Sequence, residues 1–226
     1  MSKSENKRPL ISLLNPKSPV TEAYRSIRTN IDFSSLDNKV QVIMSTSATP
    51  GEGKSTTISN LAVVYAQSDK KVVLIDADLR KPTMHHTFKL SNRHGLSSLL
   101  TRQVDLANAV QDTAVSNLSV ITSGPIPPNP SEMVASGRMS ALIEELRDQF
   151  DIVLIDTPPM LAVTDAQIIA TKSDGVVLVL DSGRVKKDMA LKVQEQLNQV
   201  NAKILGVVLN NVKKKNGSGY YYYEYS

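Results

Sequence analysis

Apolar residues in this chain fall in short unbroken runs rather than in a two-residue alternation. Such runs, rich in Val, Ile and Leu, occupy residues 40–45, 71–75, 118–122, 151–155, 175–180 and 204–209. Each is predicted to be a strand buried on both faces. The stretches 54–67, 131–150, 165–171 and 185–200 read as helices. In 131–150, Met133, Met139, Leu142, Ile143 and Leu146 recur at helical spacing. Two-sided strands separated by helices predict an α/β fold, a mostly parallel sheet with helices on both faces. Ligands of such sheets bind at the carboxyl ends of the strands, so the polar residues that end each run become the candidates for chemistry.

Residues 46–56 read Thr-Ser-Ala-Thr-Pro-Gly-Glu-Gly-Lys-Ser-Thr and follow the first run directly. A strand, a glycine loop with Gly-Lys-Ser and a helix make a phosphate-binding loop. Gly51 and Gly53 let the backbone come close to phosphate oxygens, at the positive end of the next helix. Lys54 reaches the β- and γ-phosphates, and the Ser55 hydroxyl completes a Mg²⁺ shell. Thr49, Pro50, Gly51, Glu52, Gly53, Lys54, Ser55 and Thr56 are the nucleotide-binding candidates, with Lys54 expected to be an exposed loop lysine. The first motif position is Ala48 rather than glycine.

Two acidic signals end other strands. Asp156 closes Ile152-Val153-Leu154-Ile155, the usual place for the magnesium carboxylate of a phosphate-loop protein. Asp76-Ala77-Asp78-Leu79-Arg80 closes the second strand. On extended backbone Asp76 and Asp78 would share one face. One would orient or deprotonate an attacking hydroxyl and the other would help hold Mg²⁺. Asp76 is the candidate base; Ser55, Asp78 and Asp156 are the metal candidates. Arg80 has two readings: a cation for the transferring phosphoryl group, or a neutralising partner for these aspartates. Asn210 and Asn211, after the last strand, are the candidates for the base of the nucleotide.

The 226 residues suit one α/β domain, and a 41% hydrophobic content excludes a disordered chain. The absence of cysteine excludes disulfides and thiolate metal sites. No run reaches the roughly 18–20 apolar residues of a membrane span, and the polar residues 1–9 are no secretory signal. A net charge of +4, dispersed along the chain, does not make a nucleic-acid surface. His85, His86 and His94 match no metal spacing and read as solvated.

The far end of the chain is as unusual as the loop. Residues 216–226 read Asn-Gly-Ser-Gly-Tyr-Tyr-Tyr-Tyr-Glu-Tyr-Ser, after Lys213-Lys214-Lys215. The glycine linker predicts a flexible tail, residues 213–226, beyond a domain of residues 1–212. Exposed tyrosines find hydroxyl partners in water. Beside a nucleotide loop with a second acidic motif, Tyr220, Tyr221, Tyr222, Tyr223 and Tyr225 read as phosphoacceptors.

This combination resembles the bacterial tyrosine autokinases of capsular and exopolysaccharide synthesis, in particular the cytoplasmic kinase subunits of Gram-positive bacteria. The resemblance rests on Walker A (48–55), Walker A′ (72–78), Walker B (152–156), Ser123-Gly124-Pro125-Ile126-Pro127-Pro128-Asn129-Pro130, Asp156-Thr157-Pro158-Pro159 and the tyrosine cluster. It covers nearly the whole chain. It implies an ATP- and Mg²⁺-dependent protein-tyrosine kinase that phosphorylates its own tail within a ring-shaped oligomer. It further implies an interface role for Glu22, Arg25 and Arg28, which stand three residues apart along one helix side. The implied partners are a membrane-embedded activator, a phosphotyrosine phosphatase and external protein substrates, with no nucleic acid. The implied location is the cytoplasm, at the inner face of the membrane. The rival is a partition- or positioning-type ATPase scaffold with a docking tail. Those related ATPases carry an extra lysine early in the loop, where this chain has Thr49.

Overall fold

The computed structural model describes residues 9–34 and 40–212. Seven strands form one sheet: β1 (Val42–Ser47), β2 (Val72–Asp76), β3 (Val110–Asp112), β4 (Leu118–Ile121), β5 (Ile152–Asp156), β6 (Gly175–Asp181) and β7 (Ile204–Asn210). Their order is β3-β4-β2-β5-β1-β6-β7. Every pairing is parallel except β3 with β4. The predicted α/β architecture is thus the observed one, and β1, β2 and β5 lie in its interior.

Alternate residues of these strands feed two separate cores. Val42, Met44, Val73, Ile75, Val153 and Ile155 join one core; Ile43, Val72, Leu74, Ile152 and Leu154 join the other. The first core is covered by α5 (Leu96–Leu100), α7 (Pro130–Ala135), α8 (Gly137–Gln149), α9 (Asp165–Ala170) and α10 (Lys187–Gln199). The second lies under α3 (Lys54–Ala66), which is buried on almost every side. After Lys54 this helix has no charged residue, so it tolerates a further layer. That layer is α1 (Ile11–Leu14) and α2 (Pro19–Phe33). Arg28 Nη1 donates to Val64 O at 2.8 Å, giving a cation to carbonyls near the C-terminal end of α3.

Most element boundaries shift by a residue or two, and three differences from expectation go further. The first strand runs Val42–Ser47 rather than 40–45, because Thr46 and Ser47 continue the ladder against β6. Their polarity made them look like loop. The stretch 131–150 is two helices, because Ser136 is extended (φ −60°, ψ 152°) and its Oγ caps α8 through Met139 N. Five short elements were not foreseen: α1, α4 (Met84–Phe88), α5, α6 (Leu106–Ala109) and β3. Each is too brief to show periodicity. Residues 213–226, with the five tail tyrosines and Lys213 to Lys215, lie outside the described residues. Among the described residues, no helix is long and apolar enough to cross a membrane.

Candidate nucleotide and phosphoryl-transfer site

Strand register assembles the site. Ser45 of β1 and Asp76 of β2 both stand opposite Asp156 of β5, so the three form one row across adjacent strands. The row lies on the face covered by α3, whose first two residues are Lys54 and Ser55. Ser55 Oγ donates to Asp156 Oδ2 at 2.7 Å. Lys54 Nζ lies 3.2 Å from Asp78 Oδ2, 3.4 Å from either oxygen of Asp156, and 3.0 Å from Ser55 Oγ. Lys54 is only 8% exposed, which corrects the expectation of an exposed loop lysine. Burial opposes its charge, but Asp156, Asp78 and Asp76 outweigh burial and hold its pKa above the ordinary lysine value.

The loop itself is braced from within. Gly51 and Gly53 have φ of 87° and 95°, the left-handed region that glycine alone enters cheaply. A Cβ on Gly53 would lie 2.2 Å from Asn210 Nδ2. Asn210 Nδ2 donates to Glu52 O at 3.0 Å. The Glu52 carboxylate is turned inward, 1% exposed. It accepts from Thr49 N, from Thr49 Oγ1 at 2.6 Å and from Asp181 N at 3.3 Å. The side chains of Glu52, Thr49 and Asn210 therefore shape the loop from behind. Asn211 is exposed, with a left-handed φ of 56°.

The two acids of the second motif do different things. Asp76 is fully buried; its Oδ2 accepts from Thr83 N and Met84 N, both at 2.8 Å, and its Oδ1 has no partner. Burial and the nearby Asp156 push its pKa up to about 7. Asp156 is raised as well, chiefly by burial, with Lys54 and Ser55 working against the rise. Asp78 accepts from Lys81 N at 3.0 Å and from Lys54, and it lines an open cleft. The cleft has a volume of about 470 Å³ and also takes in Gly51, Ser55, Thr56, Pro158 and Arg80. Asp76 is not among its lining residues.

Arg80 meets neither Asp76 nor Asp78 by hydrogen bond. Its guanidinium forks onto Asp165, with Nε to Oδ2 at 2.9 Å and Nη2 to Oδ1 at 3.0 Å. Ser131 Oγ joins the same carboxylate at 2.6 Å. Burial works against ionisation of Asp165, but Arg80 and Ser131 prevail and hold its pKa below the ordinary carboxylate range. Asp165 had read only as the start of a helix, and no local pattern marks a partner 85 residues away.

Glu22, Arg25 and Arg28 lie on α2, away from this cleft. Arg25 pairs with Glu22, and Arg28 is engaged with its own α3. His86 and His94 are exposed, and His85 is half-buried against His86. Among the described residues, no three His, Cys, Asp or Glu side chains are grouped to hold a metal.

The donor set fits a Mg-nucleotide. Left-handed glycines leave room for phosphate, Lys54 supplies the cation, and Ser55 Oγ sits between Lys54 and Asp156. A hard cation would take Ser55 and complete its shell with water and phosphate oxygens, as small oxygen-loving ions do.

Known proteins bear on this site. The family model described as "AAA domain" matches residues 40–210. "Tyrosine-protein kinase YwqD" of Bacillus subtilis is 50% identical over 220 residues, 97% of this chain and 93% of that one. "Tyrosine-protein kinase CpsD" of Streptococcus agalactiae is 42% identical over 204 residues, 90% and 88% of the two chains. The solved kinase domain of Escherichia coli tyrosine kinase ETK superposes with a TM-score of 0.89. It is 38% identical and covers 98% of this chain and 87% of that one. The septum site-determining protein MinD of Pyrococcus horikoshii, complexed with Mg-ADP, shares the fold at a TM-score of 0.67 and 22% identity.

Proposed function

Because this chain belongs to the bacterial tyrosine-protein kinases of the AAA-domain family, we propose that it transfers the γ-phosphoryl group of ATP to its own tail tyrosines. The observation that carries this reading is the Lys54–Ser55–Asp156–Asp78 cluster at the mouth of the phosphate loop. Phosphoryl transfer asks mainly for positioning and charge neutralisation. Backbone N–H groups of residues 51–56 cradle the phosphates, and Lys54 moves from Asp78 onto them. Ser55 would hold Mg²⁺ directly, and Asp156 and Asp78 directly or through water, and the ion would supply charge neutralisation at the phosphates. Asp78 lines the cleft and Asp76 does not, which favours Asp78 over the sequence's candidate Asp76 as the group that takes the tyrosine proton. The new P–O bond to the tyrosine oxygen forms as the bond to the leaving ADP oxygen breaks. Asp76 fixes the backbone that follows it, through Thr83 and Met84.

The same reading extends to assembly and partners. Transfer runs in trans within a ring, through contacts made by Glu22, Arg25 and Arg28. The protein regulates capsular or exopolysaccharide synthesis from the cytoplasm, at the inner membrane face. A membrane-embedded activator docks on it there, and a phosphotyrosine phosphatase resets it. Incubation with labelled ATP and Mg²⁺, followed by mapping of the labelled residues, tests the reading. Label on Tyr220, Tyr221, Tyr222, Tyr223 and Tyr225 is the expected result. Phosphate release to water with no labelled tyrosine would return the protein to the ATPase-scaffold class.

A further inference from the structure

The cleft has two kinds of lining. Lys54, Ser55 and Asp78 are polar, and the stretch Pro158, Pro159, Ala162 and Val163 is apolar. Polyphosphate has no use for an apolar wall. The wall follows Asp156 at the carboxyl end of β5, whereas Asn210 and Arg184 approach the loop glycines from the β6–β7 side. It therefore stands on the side of the site that carries Asp156.

Three cations line the cleft. Lys54 is held by Asp78 and Asp156, and Arg80 by Asp165. Among the described residues, Lys81 has no carboxylate partner at ion-pair distance. Its side chain is exposed, yet its backbone N–H is tied to Asp78 Oδ1 at 3.0 Å. The backbone that carries this lysine, whose ammonium has no carboxylate partner among the described residues, is thus anchored to the acid that meets the acceptor hydroxyl. The tail sequence offers such a cation something to bind. Its tyrosines adjoin one another and Glu224, and each phosphate adds roughly −1.5 to −2 charges.

We propose that the Pro158–Pro159–Ala162–Val163 wall seats the acceptor ring and that Lys81 selects tyrosines flanked by negative charge. Each phosphorylated residue then makes its neighbour a better acceptor, and the cluster fills in sequence rather than at random. This rests on the tyrosine-kinase reading above. It adds the specificity of the acceptor side.

The test uses full-length chains. The enzyme carries phenylalanine at all five tail tyrosines. Two acceptors carry Lys54→Met and keep only Tyr222, with the other four tail tyrosines changed to Phe in one and to Glu in the other. The Glu-flanked acceptor is expected to show a KM lower by up to about fivefold, the range of a partly exposed ion pair. Lys81→Ala in the enzyme removes that preference and Lys81→Glu reverses it, while the KM for ATP stays put. Ala162→Trp raises the KM of both acceptors without changing the binding of a fluorescent ATP analogue. A preference that survives in Lys81→Ala would overturn the proposal. So would a Lys81→Ala defect confined to ATP. Failure of the parent enzyme to label either acceptor would instead refute the tyrosine-kinase reading, and the proposal with it.

Discussion

Replacing Lys54 by methionine tests the site as a piece of structure as well as a catalyst. Lys54 is 8% exposed, and Asp156 beside it is fully buried. Three carboxylates, Asp76, Asp78 and Asp156, act on this one cation. Removing it leaves Asp156 with Ser55 as its remaining side-chain donor. Losing one partner of a buried ion pair costs about 3–5 kcal/mol, because the remaining charge is stranded. That is a large share of the roughly 5–15 kcal/mol that holds a domain together. The loss has a definite pH dependence. Asp76 and Asp156 already have folded pKa values above the ordinary carboxylate value, and removing Lys54 raises them further. A carboxylate with a raised folded pKa keeps its proton in the native state after the unfolded chain has released it. Stability therefore falls as pH rises from about 4 through 7. The methionine variant should lie close to the parent near pH 5 and fall furthest behind at pH 8. Urea unfolding followed by circular dichroism at pH 5, 6.5 and 8 measures this, and phosphotyrosine blotting of the same samples should show no tail labelling. Adding Asp156→Asn to Lys54→Met should recover part of the pH 8 loss, since it removes the stranded charge. A deficit independent of pH, or a double variant weaker than additivity, would refute this electrostatic account. Undiminished labelling would sink the kinase role of the loop.

Three further outcomes are expected. Asp76→Asn can keep the acceptor bonds to Thr83 N and Met84 N while deleting the titration, so its stability should be flatter between pH 4 and 7 than the parent's. Asp78→Asn should instead cut tyrosine transfer by about 100-fold or more, the usual contribution of a positioned acid–base group, with ATP binding retained. Replacing Glu22, Arg25 and Arg28 together by Ala should lower the mass of the oligomer in light scattering, and an unchanged mass would remove α2 from the interface. Arg28 also serves Val64 O within its own chain. A melting curve on the triple variant therefore separates lost assembly from lost folding.

Much of this was legible in the sequence, for identifiable physical reasons. Two-sided burial writes itself as unbroken Val/Ile/Leu runs, so all the interior strands could be read. Chemistry at their carboxyl ends then fixed the loop, Asp76, Asp78 and Asp156. What escaped reading was non-local. Nothing near Glu52 announces that its carboxylate turns back onto Thr49 and Asp181 rather than out to a ligand. Nothing near Arg80 announces Asp165. The separation of Asp76 from Asp78 was hidden for a related reason. Alternation along an extended chain would put both on one face, but the strand ends at Asp76. Beyond it the backbone leaves the ladder and carries Asp78 to the cleft.

Position 49 shows how such a packing detail bears on function. The related ATPases place a lysine there, and a lysine would need its ammonium free to act on a nucleotide. Here the residue is Thr49, and both its N–H and its hydroxyl are spent on the buried Glu52 carboxylate. That carboxylate in turn receives Asp181 N from β6, so the loop is fastened to the sheet through position 49. The backbone bond is open to any residue but proline, whereas the second bond needs the short hydroxyl of threonine, which lysine lacks. With position 49 bound inward, the side-chain cations left at the cleft are Lys54, Arg80 and Lys81. Arg80 is committed to Asp165, and Lys81 is the cation proposed above for the acceptor. On the proposed reading, charge neutralisation of the phosphates would fall to Lys54 and the metal, and the acceptor side would be left to a tyrosine.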